Sequence, residues 1–241
     1  MKKQLKWLIP FFVLGVLAGA FLLYTGSYYH ADADALAALA SDEAVAVTPT
    51  SYGWLFDGPS ESDALIFYPG AKVEETAYAP LLRQIAARSM DVCLVKMPFR
   101  LAFFGIGKAD GVMAAHRYAR WYIGGHSLGG AMAAYYAAAH GAQLEGVLLL
   151  AAYPTQSLDG SLAALSVYGS EDGVLSFEKV AEGRQFMPDS AEECVIEGGN
   201  HAQFGNYGPQ KGDGIAAVSA EEQQRQTVEL IMRRLLPGSG V

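Results

Sequence analysis

The stretch from Arg120 to His140 restricts what this chain can fold into more than any other. Arg120 to Gly124 reads as a short buried strand and Leu128 to His140 as a helix of small residues, with Gly141 as its expected stop. Only Gly125-His126-Ser127 lies between them. A strand that turns into a helix so abruptly forces strained backbone angles on the serine at the corner. A side chain two positions away on either side would strike the flanking chain. Gly125 and Gly129 leave that space open, so the five residues from Gly125 to Gly129 match the G-x-S-x-G pattern in its required strand-to-helix setting.

The segments around this corner say what kind of sheet it belongs to. Val45 and Val47, then Tyr52, Trp54 and Phe56, alternate about Thr48-Pro49-Thr50 as an antiparallel hairpin would. Ala64 to Tyr68 is a continuous apolar run ending in Pro69-Gly70-Ala71, the pattern of a strand buried on both faces. A helical spacing follows over 76–89, a strand over 91–97 stopped by Pro98, and a helix over 109–117. Beyond the corner, strands are expected over 145–152, 165–169 and 193–197, and an amphipathic helix over 221–236 closes the chain. Strands alternating with helices across short connections imply a mostly parallel sheet covered on both faces, an α/β fold. The connection from Ala152 to Leu165 has no room for a helical cap, so the corner serine is expected to be openly accessible.

The N-terminus obeys different rules. Trp7 to Tyr24 carries no charge and follows Lys2, Lys3 and Lys6. As a helix it would measure roughly 27 Å, enough for a hydrocarbon core. The lysines on one side and Tyr24, Tyr28 and Tyr29 on the other orient the remaining chain to the extracytoplasmic side. Ala18-Gly19-Ala20 also has the small-x-small form of a signal-peptide cleavage site, which would release a secreted form. Because the apolar run continues through Tyr24, an uncleaved single-pass anchor is the favoured expectation. The expected organisation is a basic cytoplasmic tail over 1–6, the anchor or signal segment over 7–24, a linker over 25–43 and one folded domain over 44–241.

Charge narrows the partners. The whole chain has a formal charge of -8, and without Lys2, Lys3 and Lys6 the remaining 14 basic residues face 25 acidic ones, about -11. With no basic cluster after the N-terminus, a nucleic-acid partner is not expected. No metal-spaced cluster of His, Cys and carboxylates and no dinucleotide fingerprint occurs, so no cofactor or metal is expected.

In an open parallel sheet, sites form where strand carboxyl ends meet loops. Four such ends carry polar or reactive groups: Gly70-Ala71, Ser127, Glu171-Asp172 and Asn200-His201. Serine, then acid, then histidine is the chain order of the α/β-hydrolase fold. From about Val45 to Leu236 the sequence resembles that superfamily. More narrowly, Tyr68-Pro69-Gly70-Ala71-Lys72-Val73, Gly124-Gly125-His126-Ser127-Leu128-Gly129-Gly130 and Gly198-Gly199-Asn200-His201-Ala202-Gln203-Phe204-Gly205 resemble blocks of small, often membrane-anchored bacterial α/β-hydrolases. So do Lys96-Met97-Pro98-Phe99 and Tyr168-Gly169-Ser170-Glu171-Asp172-Gly173.

The resemblance implies a serine hydrolase acting on a small ester or acylated substrate through an acyl-enzyme. Ser127 would be the nucleophile, His201 its base and Asp172 the acid that orients the histidine, with Glu171 as rival acid. The backbone N–H groups of Leu128 and Ala71 would form the oxyanion hole. Thioester cleavage or acyl transfer would use the same parts, and a non-catalytic binding protein on this fold is the alternative from another class. Of the other histidines, His126 is expected to point away from the site. Lys72, Glu74, Gln203, Gln210 and Asp213 are expected to be solvated, and Leu101 to Ile106 either to line an acyl pocket or to join the core. Cys93 and Cys194 would fall four or five strands apart and remain free and buried.

Overall fold

The computed structural model describes the backbone of residues 2–236 and the side chains of residues 10–236. The helices are α1 (Lys2–Gly26), α2 (Ala33–Ala37), α3 (Ala79–Ala86), α4 (Lys108–Ala115), α5 (Leu128–His140), α6 (Phe177–Gly183) and α7 (Ala220–Leu235). The strands are β1 (Ala46–Pro49), β2 (Gly53–Asp57), β3 (Asp63–Tyr68), β4 (Asp91–Val95), β5 (Arg120–His126), β6 (Gly146–Leu150), β7 (Ala163–Gly169) and β8 (Glu192–Ile196). They form one sheet in the order β1-β2-β4-β3-β5-β6-β7-β8. The β1/β2 hairpin joins β4 antiparallel and every other pairing is parallel.

Alternation along the strands divides the core into two layers. Leu65 and Phe67 of β3, with Val92, Leu94, Leu148 and Val167, pack under α3 and α7. Ala64, Ile66 and Tyr68, with Cys93, Ile123, Val147 and Leu149, pack under α5 and α4. Both faces of each central strand are thus covered, which is why those strands read as unbroken apolar runs. The alanines of α5 let that helix lie close to the sheet, with Ala133, Ala134 and Ala137 fully covered. No helix intervenes between β6 and β7, and among the described residues no large cap covers the carboxyl ends of the strands.

Gly141 stops α5 as expected, in a right-handed conformation that leads into a tight turn. Other expectations change. The helix expected over 109–117 ends at Ala115, and α6 was not among the expected helices. Cys93 and Cys194 are free, five strand positions apart, about 24 Å at the usual strand spacing and far beyond disulfide reach. Cys93 is buried as expected, but Cys194 is only half-buried because β8 is an edge strand.

The largest difference concerns residues 25–43, expected as a linker. Tyr29 pairs with Val73, its N–H donating to Lys72 O (2.8 Å) and its carbonyl accepting from Glu74 N (2.9 Å). Asp32 N donates to Asn206 O, Arg83 bonds Asp42 and the Ala38 and Ala40 carbonyls, and Ala35 is fully buried. The segment is docked because these backbone groups find partners that a solvated stalk would leave to water.

Among the described residues, no helix is long and apolar enough to cross a membrane. The expected 7–24 span lies partly outside them, since side chains are described only from Pro10 onward. From Phe11 to Tyr24 the large apolar side chains of α1 are mostly exposed on every side, Phe12 at 74% and Leu23 at 80%.

Candidate active site

Ser127 sits where β5 becomes α5, with φ 53 and ψ -124. This left-handed backbone is unfavourable for a residue with a Cβ and persists only where its surroundings fix it. Here Ser127 N–H donates to Leu150 O (2.9 Å) and its carbonyl accepts from Ala131 N (3.0 Å). A Cβ on Gly125 or on Gly129 would overlap the carbonyl oxygen of Tyr68, so both glycines are needed for the approach of β3 and α5 at the corner. Ser127 is half-buried and its hydroxyl has no hydrogen-bond partner among the described residues.

The loops after β7 and β8 bring Asp172 and His201 together. Asp172 Oδ2 lies 2.8 Å from His201 Nδ1, both side chains almost wholly buried. Asp172 Oδ1 accepts from the N–H groups of Val174 (2.9 Å) and Leu175 (2.7 Å), which fixes the orientation of the carboxylate. Its rival Glu171 is exposed and reaches only the Ser170 hydroxyl. With Nδ1 held by Asp172, His201 carries its other nitrogen, Nε2, buried and without a protein partner.

Two residues not expected at the site, His126 and Tyr78, complete this geometry. His126 does not point away: its ring packs on that of His201 with centroids 4.5 Å apart, and its Nδ1 lies 2.8 Å from Tyr78 Oη. Burial, and then the neighbouring His201, hold the His126 pKa well below the usual histidine value. The Tyr78 hydroxyl also accepts from Gly70 N–H (3.0 Å), tying the turn after β3 to the residue before Ser127. On that turn the amide of Ala71, like that of Leu128 at the first position of α5, has no protein acceptor among the described residues. The α5 N-terminus adds its dipole at the same place.

Asp213, expected to be solvated, joins the two loops. Its Oδ1 accepts from Gly173 N (3.1 Å), His201 N (3.2 Å) and Gly214 N (2.8 Å), and its Oδ2 from Ala202 N (2.8 Å). Gln223, fully buried on α7, grips Asn200 from the opposite side through both its N–H and its carbonyl. Neither contact had a sequence signal, because each depends on how the long connection before α7 folds back. Of the remaining polar candidates, Gln203 and Gln210 help line a cleft of about 460 Å³ behind the His201 loop, which none of Ser127, Asp172 and His201 lines. In the 101–106 segment Leu101 and Ala102 are buried, while Phe103 and Phe104 stand exposed.

Comparison with known proteins places this geometry in context. A model of the "Alpha/beta hydrolase family" matches residues 64–225. No curated protein matches the sequence significantly. Among solved structures, TT1662 from Thermus thermophilus is similar with TM-score 0.58 and 13% identity, covering 80% of this chain and 98% of the other. A predicted CIB-like hydrolase from Thermoplasma acidophilum gives TM-score 0.57 at 16% identity over 78% of this chain and 99% of its own. Dienelactone hydrolase from Anabaena variabilis gives 0.57 at 12% over 80% and 99%. At these identities the likeness is one of fold.

Proposed function

The chain belongs to the alpha/beta hydrolase family, and from that premise we propose that it is a serine hydrolase that cleaves carboxylic esters through an acyl-enzyme. The observation that carries this reading is the buried His201, fixed at Nδ1 by Asp172, with an unpartnered Nε2 and a ring packed on the residue before Ser127. In the proposed reaction His201 Nε2 takes the Ser127 proton as Oγ attacks the ester carbonyl. Asp172 stabilises the imidazolium, and the Leu128 and Ala71 amides bind the oxyanion. The imidazolium then protonates the departing alkoxide, leaving the acyl group on Ser127. A water, deprotonated by His201, attacks the acyl-enzyme; collapse of the second tetrahedral intermediate releases the acid and returns the proton to Ser127. His126, kept neutral by burial, can lie against His201 without opposing the charge that forms there.

The proposal includes a location. A helix with apolar side chains exposed all round has no stable place in water, and α1 is of that kind from Phe11 to Tyr24. We therefore read it as the membrane anchor of an extracytoplasmic domain.

The reaction is tested with short-chain nitrophenyl esters under pre-steady-state conditions. The wild type should release a burst of nitrophenol close to one equivalent or turn over steadily, and Asp172→Asn should lower kcat roughly 10³- to 10⁴-fold. Turnover unaffected by Asp172→Asn would remove that residue from the mechanism.

A further inference from the structure

The loop after β4 joins α1 to the candidate active site. Phe99, Phe103 and Phe104 are each close to half exposed and touch one another through Phe104, whereas other exposed apolar side chains of the body, among them Leu36, Phe177, Val195 and Ile215, sit on separate segments of the chain. Phe21 of α1 packs edge-on against Phe99 (5.1 Å between centroids) and Phe104 (5.9 Å). On its other side the 102–104 segment packs against α5, the helix that carries Ser127 at its N-terminus.

Depth along α1 decides what surrounds this loop. Phe21 lies five residues before the end of the helix at Gly26, about 7–8 Å at the helical rise. If α1 is embedded to its end, the aromatic loop lies at the level of the bilayer interface, where phenylalanine rings are favoured and water is scarce.

Charge at the same seam agrees. Between residues 96 and 109 there are three cationic residues and no acidic one, in a body of about -11; Lys96 is paired with Glu75 (3.1 Å), which leaves Arg100 and Lys108. Arg100 stacks over the Tyr28 ring at 3.4 Å and Lys72 over the Tyr24 ring at 4.2 Å, where α1 leaves the body. Among the described residues neither has a carboxylate partner, and Arg100 Nε is buried without a hydrogen-bond partner. Lys72 and Arg100 are held together by Lys72 N–H donating to Arg100 O (2.9 Å), with Lys72, Phe99 and Arg100 all on left-handed backbone. Such strain persists where the surroundings fix it and tends to mark working parts of a protein.

We propose that this rim, with Phe99, Phe103 and Phe104 as its apolar face and Lys72 and Arg100 as its cationic edge, docks on an anionic lipid bilayer. Lipid phosphates meet the two cations. The loop then holds the mouth of the Ser127 site against the membrane, so the ester comes from the bilayer as an amphiphile. The docking rests on the anchor reading above; its consequence for substrate rests on the ester-hydrolase reading.

The test uses the full chain with Trp7→Phe and Phe103→Trp, reconstituted in phosphatidylethanolamine/phosphatidylglycerol vesicles containing brominated acyl chains. A Phe99→Trp chain serves as a second probe, and a Trp7→Phe chain supplies the background of Trp54 and Trp121. Urea midpoints in detergent report that each variant folds. The added tryptophan should be quenched at least twofold more than the background, and Lys72→Gln with Arg100→Gln should reduce that quenching. Quenching no greater than background at both positions overturns the proposal. So does emission that shifts with protein-to-lipid ratio without quenching, which would put a second copy of the chain on this face. Wild-type turnover of a soluble ester, measured separately, isolates the two readings: activity without quenching ends only the docking, and quenching without activity ends only the ester reading.

Discussion

At the residue scale, the candidate site is held more by hydrogen bonds to backbone than by contacts between its reactive side chains. Asp213 shows this most clearly, since its carboxylate accepts N–H groups from the loop of Asp172 and the loop of His201 at once. It touches no reacting atom in the proposed chemistry and acts through position. Asp213→Ala is expected to lower kcat at least tenfold with KM little changed, and to lower stability by about 1–3 kcal/mol through unsatisfied amides. Steady-state kinetics and urea denaturation check both; a loss confined to KM would mean that Asp213 faces substrate instead. The residues that sequence alone brings forward are those whose requirement is local. Gly125 and Gly129 are two positions from Ser127, and their need for space follows from the corner itself. Asp213 and Tyr78 meet the site only through the fold, and His126 was misjudged because its ring turns inward beneath the corner to meet Tyr78 and His201.

At the element scale, the strands and the larger helices were legible because burial on two faces, or on one helical stripe, writes a period into the sequence. α5 matches the expected Leu128–His140, and β3, β4 and β7 differ from expectation by about two residues or fewer at each end. The docking of residues 27–43 was illegible, since it rests partly on backbone pairing, which is blind to side-chain identity, and partly on the distant Arg83. That pairing has a functional consequence. Tyr29 bonds the backbone of Lys72 and Glu74, immediately after Ala71, and so braces the turn proposed to supply an oxyanion amide. A chain beginning at residue 44 should therefore lose at least tenfold in kcat on a soluble ester relative to one beginning at residue 27, and unfold at lower urea. Equal kcat for the two chains would show that the turn needs no brace.

At the scale of the whole molecule, one sheet order explains why four separate loops share one end. β3, β5, β7 and β8 all run parallel, so the turn after β3, Ser127 after β5, Asp172 after β7 and His201 after β8 lie along one edge of the sheet. The absence of a helix between β6 and β7 leaves that end without a helical cap, and α1 with the aromatic loop borders it on one side. A buried acid–histidine pair whose histidine packs on the residue before an unpartnered serine, in a fold shared with hydrolases, is the arrangement from which the proposed chemistry follows. Treatment of the purified chain with a fluorophosphonate probe, followed by peptide mapping, addresses that chemistry most directly. The account predicts one adduct per chain on Ser127, abolished by Ser127→Ala and slowed at least a hundredfold by His201→Ala; a wild-type chain that stays unlabelled, or is labelled elsewhere, would contradict it.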